Sequence, residues 1–152
     1  MFRVSKRGIS MSKLDIYTDG SVSVNPGGVG TWAWVAYVDG EESEYDYGAI
    51  RARQENTNNL MEHRALNEAL KWAAHHQYQK FSIYSDSNLA VNQINGVWRI
   101  KADSLRGLAL DSRGLLVQQQ AICAWIPRER NQRADELSKI AHRLPMELKA
   151  RA

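Results

Sequence analysis

The fold is decided by residues 31–50, TWAWVAYVDGEESEYDYGAI, whose pattern predicts two β-strands around a tight turn. Aromatic and β-branched residues, which favour strands, dominate Thr31–Val38 and recur in Glu44–Ile50. Between these runs, Asp39 and Gly40 form a dipeptide typical of hairpin turns. We therefore expect an antiparallel hairpin in the first half of the chain.

Helical and strand patterns alternate after this hairpin, and one further strand precedes it. Thr57 has a side chain suited to capping the first helix. The remaining elements are expected as strands at Leu14–Thr18, Lys80–Ser85 and Ala121–Ile126 and as helices at Asn59–His76, Asn88–Asn95, Ser104–Gln119 and Asn131–Leu144. The order β-β-β-α-β-α-α-β-α predicts an α/β fold, a five-stranded mixed sheet flanked by helices.

The length of 152 residues fits one domain, which we expect over residues 13–146. Residues 1–12 are expected to be a flexible N-terminal extension, and either Met1 or Met11 could be the true start. Residues 147–152 are expected to be a C-terminal tail.

The composition is typical of a soluble globular protein, with 24% charged and 43% hydrophobic residues. No run approaches the roughly 20 apolar residues of a membrane helix. The net charge of +3 weakly favours a polyanionic partner. Cys123 is the single cysteine and lies in an apolar run, which is typical of a packed thiol in a reducing compartment. We therefore expect a cytoplasmic monomer with no membrane partner.

Two aspartates follow matching strand patterns. Asp19 follows Ile16-Tyr17-Thr18, and Asp86 follows Ile83-Tyr84-Ser85. Because open α/β sheets bind ligands beyond the carboxyl ends of their strands, this repeated placement favours a functional site. The alternative for either residue alone is that it starts a turn or caps the next helix.

Glu62 is the more unusual acid, because helical periodicity places it on the same stripe as Leu66, Ala69 and Ala73. An ionised carboxylate on a core-facing stripe is costly unless a cation or hydrogen-bond donors compensate. The alternative is a favourable interaction with the helix N-terminus, which explains an exposed acid better than a buried one.

If Asp19, Glu62 and Asp86 converge, their mutual repulsion requires a cation between them. All-oxygen ligands suit Mg²⁺ or Mn²⁺ better than zinc, and such clusters serve displacement at phosphate. Together with a basic chain, this pattern indicates a nuclease. Asp135 lies off the apolar stripe of the last helix, so periodicity alone makes it a surface acid.

Four motifs occur in order between Asp19 and Ala141. They are Thr18-Asp19-Gly20-Ser21 with Asn25-Pro26-Gly27 and Gly30, Thr57-Asn58-Asn59-Leu60-Met61-Glu62, Tyr84-Ser85-Asp86-Ser87, and Pro127-Arg128-Glu129-Arg130-Asn131 followed by Ala134-Asp135-Glu136-Leu137. Together they resemble the motifs of the type I ribonuclease H family. The resemblance implies a ribonuclease H-like fold and hydrolysis of the RNA strand of RNA–DNA hybrids.

The resemblance also implies a set of site residues. The implied catalytic residues, which would also bind two Mg²⁺ ions or Mn²⁺ in their place, are Asp19, Glu62, Asp86 and Asp135. The hybrid would be read across its minor groove through the RNA 2′-hydroxyls. The implied substrate contacts are Gly20, Ser21, Asn25, Asn58, Asn59, Asn88, Trp98, Arg128 and Arg130. Loop, cap and core roles are the alternatives for the asparagines and for Trp98.

The chain departs from the family pattern in two places. The stretch from Gly96 to Asp103 is too short for the basic handle that many members have. Most members also have a histidine before the last aspartate, but residues 125–134 contain no histidine. The chain therefore resembles a compact branch without either feature. Arg128, Glu129 or Arg130 could replace the histidine.

Other functions fit parts of the pattern. One alternative is a nucleic-acid-binding module that kept this fold, and another is a nuclease for double-stranded RNA or DNA junctions; junction resolvases and transposases have similar acid clusters. Degeneration of the site should remove the acids first, and junction resolvases and transposases lack the T-N-N-x-M-E element. A Ca²⁺-binding module is a third alternative, which no D-x-[DN]-x-[DN]-G loop supports.

Overall fold

The structure is a computed structural model that describes residues 2–5, 8–10 and 12–144. Its strands are β1 (Phe2–Ser5), β2 (Gly8–Ser10), β3 (Leu14–Val22), β4 (Gly30–Val38), β5 (Glu41–Ile50), β6 (Tyr78–Gln79), β7 (Ser82–Ser85) and β8 (Ile122–Trp125). Its α-helices are α1 (Asn58–His75), α2 (Asn88–Ile94), α3 (Asp103–Gln119) and α4 (Gln132–His142), and a single 3₁₀ turn covers Arg128–Arg130.

The main sheet has five strands in the order β5-β4-β3-β7-β8, which confirms the predicted α/β class. The strands β3, β4 and β5 are antiparallel neighbours, while β7 pairs parallel with both β3 and β8. The predicted hairpin turn is present: Asp39 and Gly40 have φ values of 52° and 83°. Two successive positive φ angles match the twist of the flanking strands.

Helices cover both faces of this sheet, so its apolar side chains are buried on both sides. On one face, α1, α2 and α3 pack on a cluster that includes Ile16, Trp34, Leu66, Ile94 and Leu116. On the other face, α4 supplies Ala134 and Leu137, which pack against Ala33 and Val35 of β4. The predicted cap of α1 is also present, because the Thr57 hydroxyl accepts from the Leu60 amide at 3.0 Å.

Two short strands lie within the expected N-terminal extension: β1 and β2 form a hairpin that pairs with β6 in a second, three-stranded sheet. The alternation in each of these runs is too short to predict a strand, and the pairing depends on the edge that Tyr78–Gln79 offers from far along the chain. Met1, Met11 and the expected tail at 147–152 lie outside the described residues.

In the part of the chain that the structure describes, no helix is both long enough and apolar enough to span a membrane.

Candidate active site

The parallel pairing of β3 and β7 brings two acids together. In its register, Ile16 lies opposite Ile83, Tyr17 opposite Tyr84, and Thr18 opposite Ser85. The two copies of the repeated sequence pattern therefore lie side by side, in register, on neighbouring strands. Asp19 and Asp86 follow the last pair, so both carboxylates lie at the same edge of the sheet.

Glu62 reaches this edge because α1 passes very close to β3. A Cβ atom built on Gly20 would lie 2.2 Å from the Met61 carbonyl, so only glycine allows the approach. The Gly20 amide donates to one oxygen of Glu62, and the Ser85 hydroxyl donates to the other at 3.4 Å. Glu62 is 6% exposed, which confirms its predicted place on the buried stripe.

Asp19, Glu62 and Asp86 form one cluster, in which one oxygen from each lies within 4.8 Å of the others. Burial, and then the charges of Asp86 and Asp135, raise the pKa of Asp19 to about 7. Burial, and then the charges of Asp19 and Asp86, raise the pKa of Glu62 well above its ordinary value. Three ionised groups in this space are unfavourable without a compensating positive charge.

This donor set fits a hard divalent cation. All of the clustered ligand atoms are carboxylate oxygens, which Mg²⁺ and Mn²⁺ prefer, and no histidine or cysteine is among them. Two of the carboxylates are buried and already held by strand and helix backbone, so a cation would meet preoriented ligands.

The cluster opens into a cleft of about 910 Å³ between the end of the sheet, α1 and α4. Around the acidic residues, the cleft is lined mainly by amide, hydroxyl and basic side chains. The residues that line it include Ser21, Asn25, Asn58, Asn59, Ser87, Arg128, Asp135 and Lys139.

Comparison with known proteins identifies the family. A family model described as reverse transcriptase-like matches residues 17–141. A ribonuclease H of Helicobacter pylori is 32% identical over 142 residues, which cover 86% of this chain and 93% of that relative. The chain belongs to the ribonuclease H family.

The solved structures that resemble this ribonuclease H fold include type 1 enzymes. RNase H1 from the archaeon Halobacterium salinarum has a TM-score of 0.78 at 30% identity, covering 86% of this chain and 97% of that one. LC11-RNase H1, isolated from compost, was solved in complex with an RNA/DNA hybrid; it has a TM-score of 0.71 at 28% identity, covering 85% of this chain and 96% of that one.

Some curated relatives are much longer than this chain. The bifunctional protein Rv2228c of Mycobacterium tuberculosis is 33% identical over 132 residues, which are 85% of this chain but only 35% of that protein. The chain therefore spans about a third of the length of the mycobacterial relatives that it matches.

The fourth acid of the ribonuclease H motif lies at the rim of the cleft. Asp135 lines it and adds to the electrostatic field on Asp19, but its carboxylate is not part of the three-acid cluster. It forms an ion pair with Lys139 one helical turn later, at 3.0 Å. The charge on Asp135 is thus already balanced, whereas the other three acids face one another.

The structure divides the predicted substrate contacts. The residues that line the cleft are Gly20, Ser21, Asn25, Asn58, Asn59 and Arg128. Arg130 instead lines a separate cavity beside Tyr17 and Tyr37, on the α4 face of the sheet. Asn88 is an exposed residue at the start of α2, and Trp98 is 45% exposed, so the core alternative for Trp98 is wrong.

Asn131 is a site residue that the sequence did not single out. It is 1% exposed, and its side-chain Nδ2 donates to the Thr18 carbonyl at 2.8 Å and to Asp86 Oδ2 at 3.1 Å. It thereby fixes Asp86 relative to β3. Asn131 closes the Pro127–Asn131 motif, but an asparagine just before a helix is also common as a cap, so the motif does not by itself give this role.

Proposed function

We propose that this chain is an endoribonuclease that hydrolyses the RNA strand of RNA–DNA hybrids. One observation carries the proposal: Asp19, Glu62 and Asp86 converge within 4.8 Å at the end of the sheet, in a chain of the ribonuclease H family. The complex of LC11-RNase H1 with an RNA/DNA hybrid supports the choice of substrate.

The proposed cofactor is a pair of Mg²⁺ ions, which Mn²⁺ could replace. Asp19, Glu62 and Asp86 would hold them, with Asp135 joining once it leaves Lys139. When bound, such ions activate the attacking water and stabilise the departing 3′ oxygen of the RNA.

The protein's own contribution is to hold the acids in place before substrate arrives. The Gly20 amide and the Ser85 hydroxyl fix the Glu62 carboxylate, and Asn131 fixes that of Asp86. Preorganised ligands of this kind need no rearrangement during the reaction, which is how a rigid site lowers a barrier.

The cleft wall next to the acids suits a hybrid duplex. The amides of Asn25, Asn58 and Asn59 can exchange hydrogen bonds with base edges and with 2′-hydroxyls in the minor groove. Arg128 also lines the cleft and adds positive charge for the phosphates, and Lys139 would add more once Asp135 leaves it.

Substrate choice is tested with one end-labelled sequence prepared as an RNA–DNA hybrid, a DNA duplex and an RNA duplex. We expect Mg²⁺-dependent cuts in the RNA strand of the hybrid alone, with both other duplexes intact. Cleavage of the DNA duplex or the RNA duplex at a comparable rate would reject this proposal in favour of a broader nuclease.

A further inference from the structure

A network of buried side chains lies behind Asn59, between α1 and α2. Gln93 of α2 is 6% exposed and His63 of α1 is fully buried. The Gln93 Oε1 atom lies 2.9 Å from Asn59 Nδ2 and 3.0 Å from His63 Nε2. On its other side, Gln93 Nε2 lies 3.2 Å from the carbonyl oxygen of Arg99.

The Arg99 carbonyl decides how this network is oriented. A backbone carbonyl can only accept hydrogen bonds, so the Gln93 amide must turn its Nε2 towards Arg99 and its Oε1 towards the other two groups. Asn59 Nδ2 and His63 Nε2 are then both donors.

Gln93 is itself held firmly at the end of α2. Its backbone carbonyl accepts from the Arg113 guanidinium of α3 at 2.8 Å, and the same guanidinium donates to the Ile94 carbonyl at 3.2 Å. The Gln93 Oε1 atom, which faces Asn59, is therefore held in place by contacts from α3 to the end of α2 and by the Arg99 carbonyl.

We propose that Gln93 is a positioning residue that sets the side-chain amide of Asn59 for hybrid binding. This inference rests on the proposed function, because it takes Asn59 as a contact to the hybrid. An amide presents a donor and an acceptor of nearly equal shape, and a half-turn exchanges them. Gln93 accepts one hydrogen of Asn59 Nδ2 and thereby fixes the direction of the other.

The test replaces Gln93 with methionine, which removes both amide functions and keeps an unbranched chain of similar length. We expect KM for a fluorescein-labelled hybrid to rise about five- to tenfold, the effect of one lost hydrogen bond, while kcat stays within about twofold. Affinity for the same hybrid, measured by fluorescence anisotropy without divalent cations, should fall in parallel.

Gln119→Met is the matched control. Gln119 is 1% exposed, and its Nε2 donates to the carbonyls of Leu70 and Leu115 at 3.2 Å each, away from the cleft lining. Its replacement should lower Tm while leaving KM unchanged. If Gln93→Met does not fold, Gln93→Asn keeps the amide but withdraws it by one methylene from Asn59, and the same rise in KM is expected.

A double-mutant cycle separates positioning from general damage. In an Asn59→Ala background, Gln93→Met should raise KM no further, because the amide that it orients is gone. An additive rise in KM, an unchanged KM in Gln93→Met, or an equal rise in Gln119→Met would overturn the role of Gln93. Failure of the unaltered chain to cut the hybrid would overturn the proposed function, and this inference with it.

Discussion

At the scale of single residues, the carboxylates of Asp19, Glu62 and Asp86 lie so close together that they repel one another. Asp19 is only 8% exposed, and its pKa of about 7 reflects burial first and the charges of Asp86 and Asp135 second. The folded protein therefore retains a proton on this group well above the ordinary pKa of 3.8. Between these two values the folded state binds more protons than the unfolded chain, so the free energy of unfolding falls as pH rises.

Replacing this carboxylate should stabilise the protein when no cation is present. Without divalent ions, Asp19→Asn should raise the free energy of unfolding by about 1–3 kcal/mol near pH 8, because the ionised group is removed. The gain should shrink towards about pH 4, where the carboxyl of the unaltered chain is protonated in the folded state. Chemical denaturation at both pH values measures it. The control is Asp103→Asn, at a side chain that is 91% exposed, which should not raise the free energy of unfolding. If Asp19→Asn raised the free energy of unfolding by the same amount at both pH values, this account would be contradicted.

Residues differ in how far the sequence could predict them. The burial of Glu62 follows from helical periodicity, and the neighbouring positions of Asp19 and Asp86 follow from two matching strand patterns. Asp135 was identified by the family motif alone, because its position on the helix is that of a surface acid. Gln93 and Asn131 could not be predicted, because their partners are side chains and carbonyls brought in by other elements.

At the scale of elements, the close approach of β3 and α1 sets the position of Glu62. Gly20→Ala should destabilise the fold by about 2–4 kcal/mol, because its Cβ would overlap the Met61 backbone and must push the helix away. Hydrolysis should fall with it, because the bond from the Gly20 amide to Glu62 is lost. Thermal melts and hybrid cleavage measure the two effects.

Gly107→Ala is the control for this substitution. Beyond its chain neighbours and the backbone of α3 itself, a Cβ at Gly107 would meet no atom within 4 Å, so alanine should stabilise the helix by about 0.5–1 kcal/mol and leave activity unchanged. If Gly20→Ala were as stable and active as Gly107→Ala, the close approach would not be what places Glu62.

The 3₁₀ turn before α4 presents its two arginines to different cavities. Arg128 lines the cleft of the acids, whereas Arg130 lines the cavity beside Tyr17 and Tyr37. Arg128→Ala should therefore weaken hybrid binding and lower the slope of log affinity against log salt by about one. Arg130→Ala is the matched variant and should leave the slope unchanged. Equal losses for both would mean that the hybrid covers both cavities.

At the scale of the whole molecule, the sequence predicts the main sheet better than the small one. Strands β4 and β5 are long and meet at a recognisable turn, so local pattern is enough to predict them. Strand β3 continues beyond its predicted end at Thr18 to Val22, because residues 19–22 pair with β4. The sheet formed by β1, β2 and β6 is made of runs of only two to four residues, and β6 is distant in sequence from the other two. Such pairing depends on tertiary contacts, which local propensity does not contain.

The order of strands also explains why the site lies where it does. β3 is antiparallel to β4 but parallel to β7, so the sheet changes from antiparallel to parallel pairing at β3. The end of β7 thus lies level with Thr18 of β3, which continues to Val22, and α1 places Glu62 beside Asp19 and Asp86. The fold leaves this edge open as the cleft that contains the acids.

The central claim is that this acid cluster cleaves the RNA strand of a hybrid, and Asp86→Asn tests it most directly. Cleavage of a labelled hybrid in Mg²⁺ and binding of the same hybrid without divalent ions are measured for this variant, for the unaltered chain and for Asp103→Asn. We predict that Asp86→Asn lowers the cleavage rate at least about a hundredfold, because a proposed metal ligand is removed. The affinity for the hybrid should stay the same, because the residues that line the rest of the cleft are unchanged. Asp103→Asn should match the unaltered chain in both. Cleavage by Asp86→Asn at the rate of the unaltered chain would contradict the account.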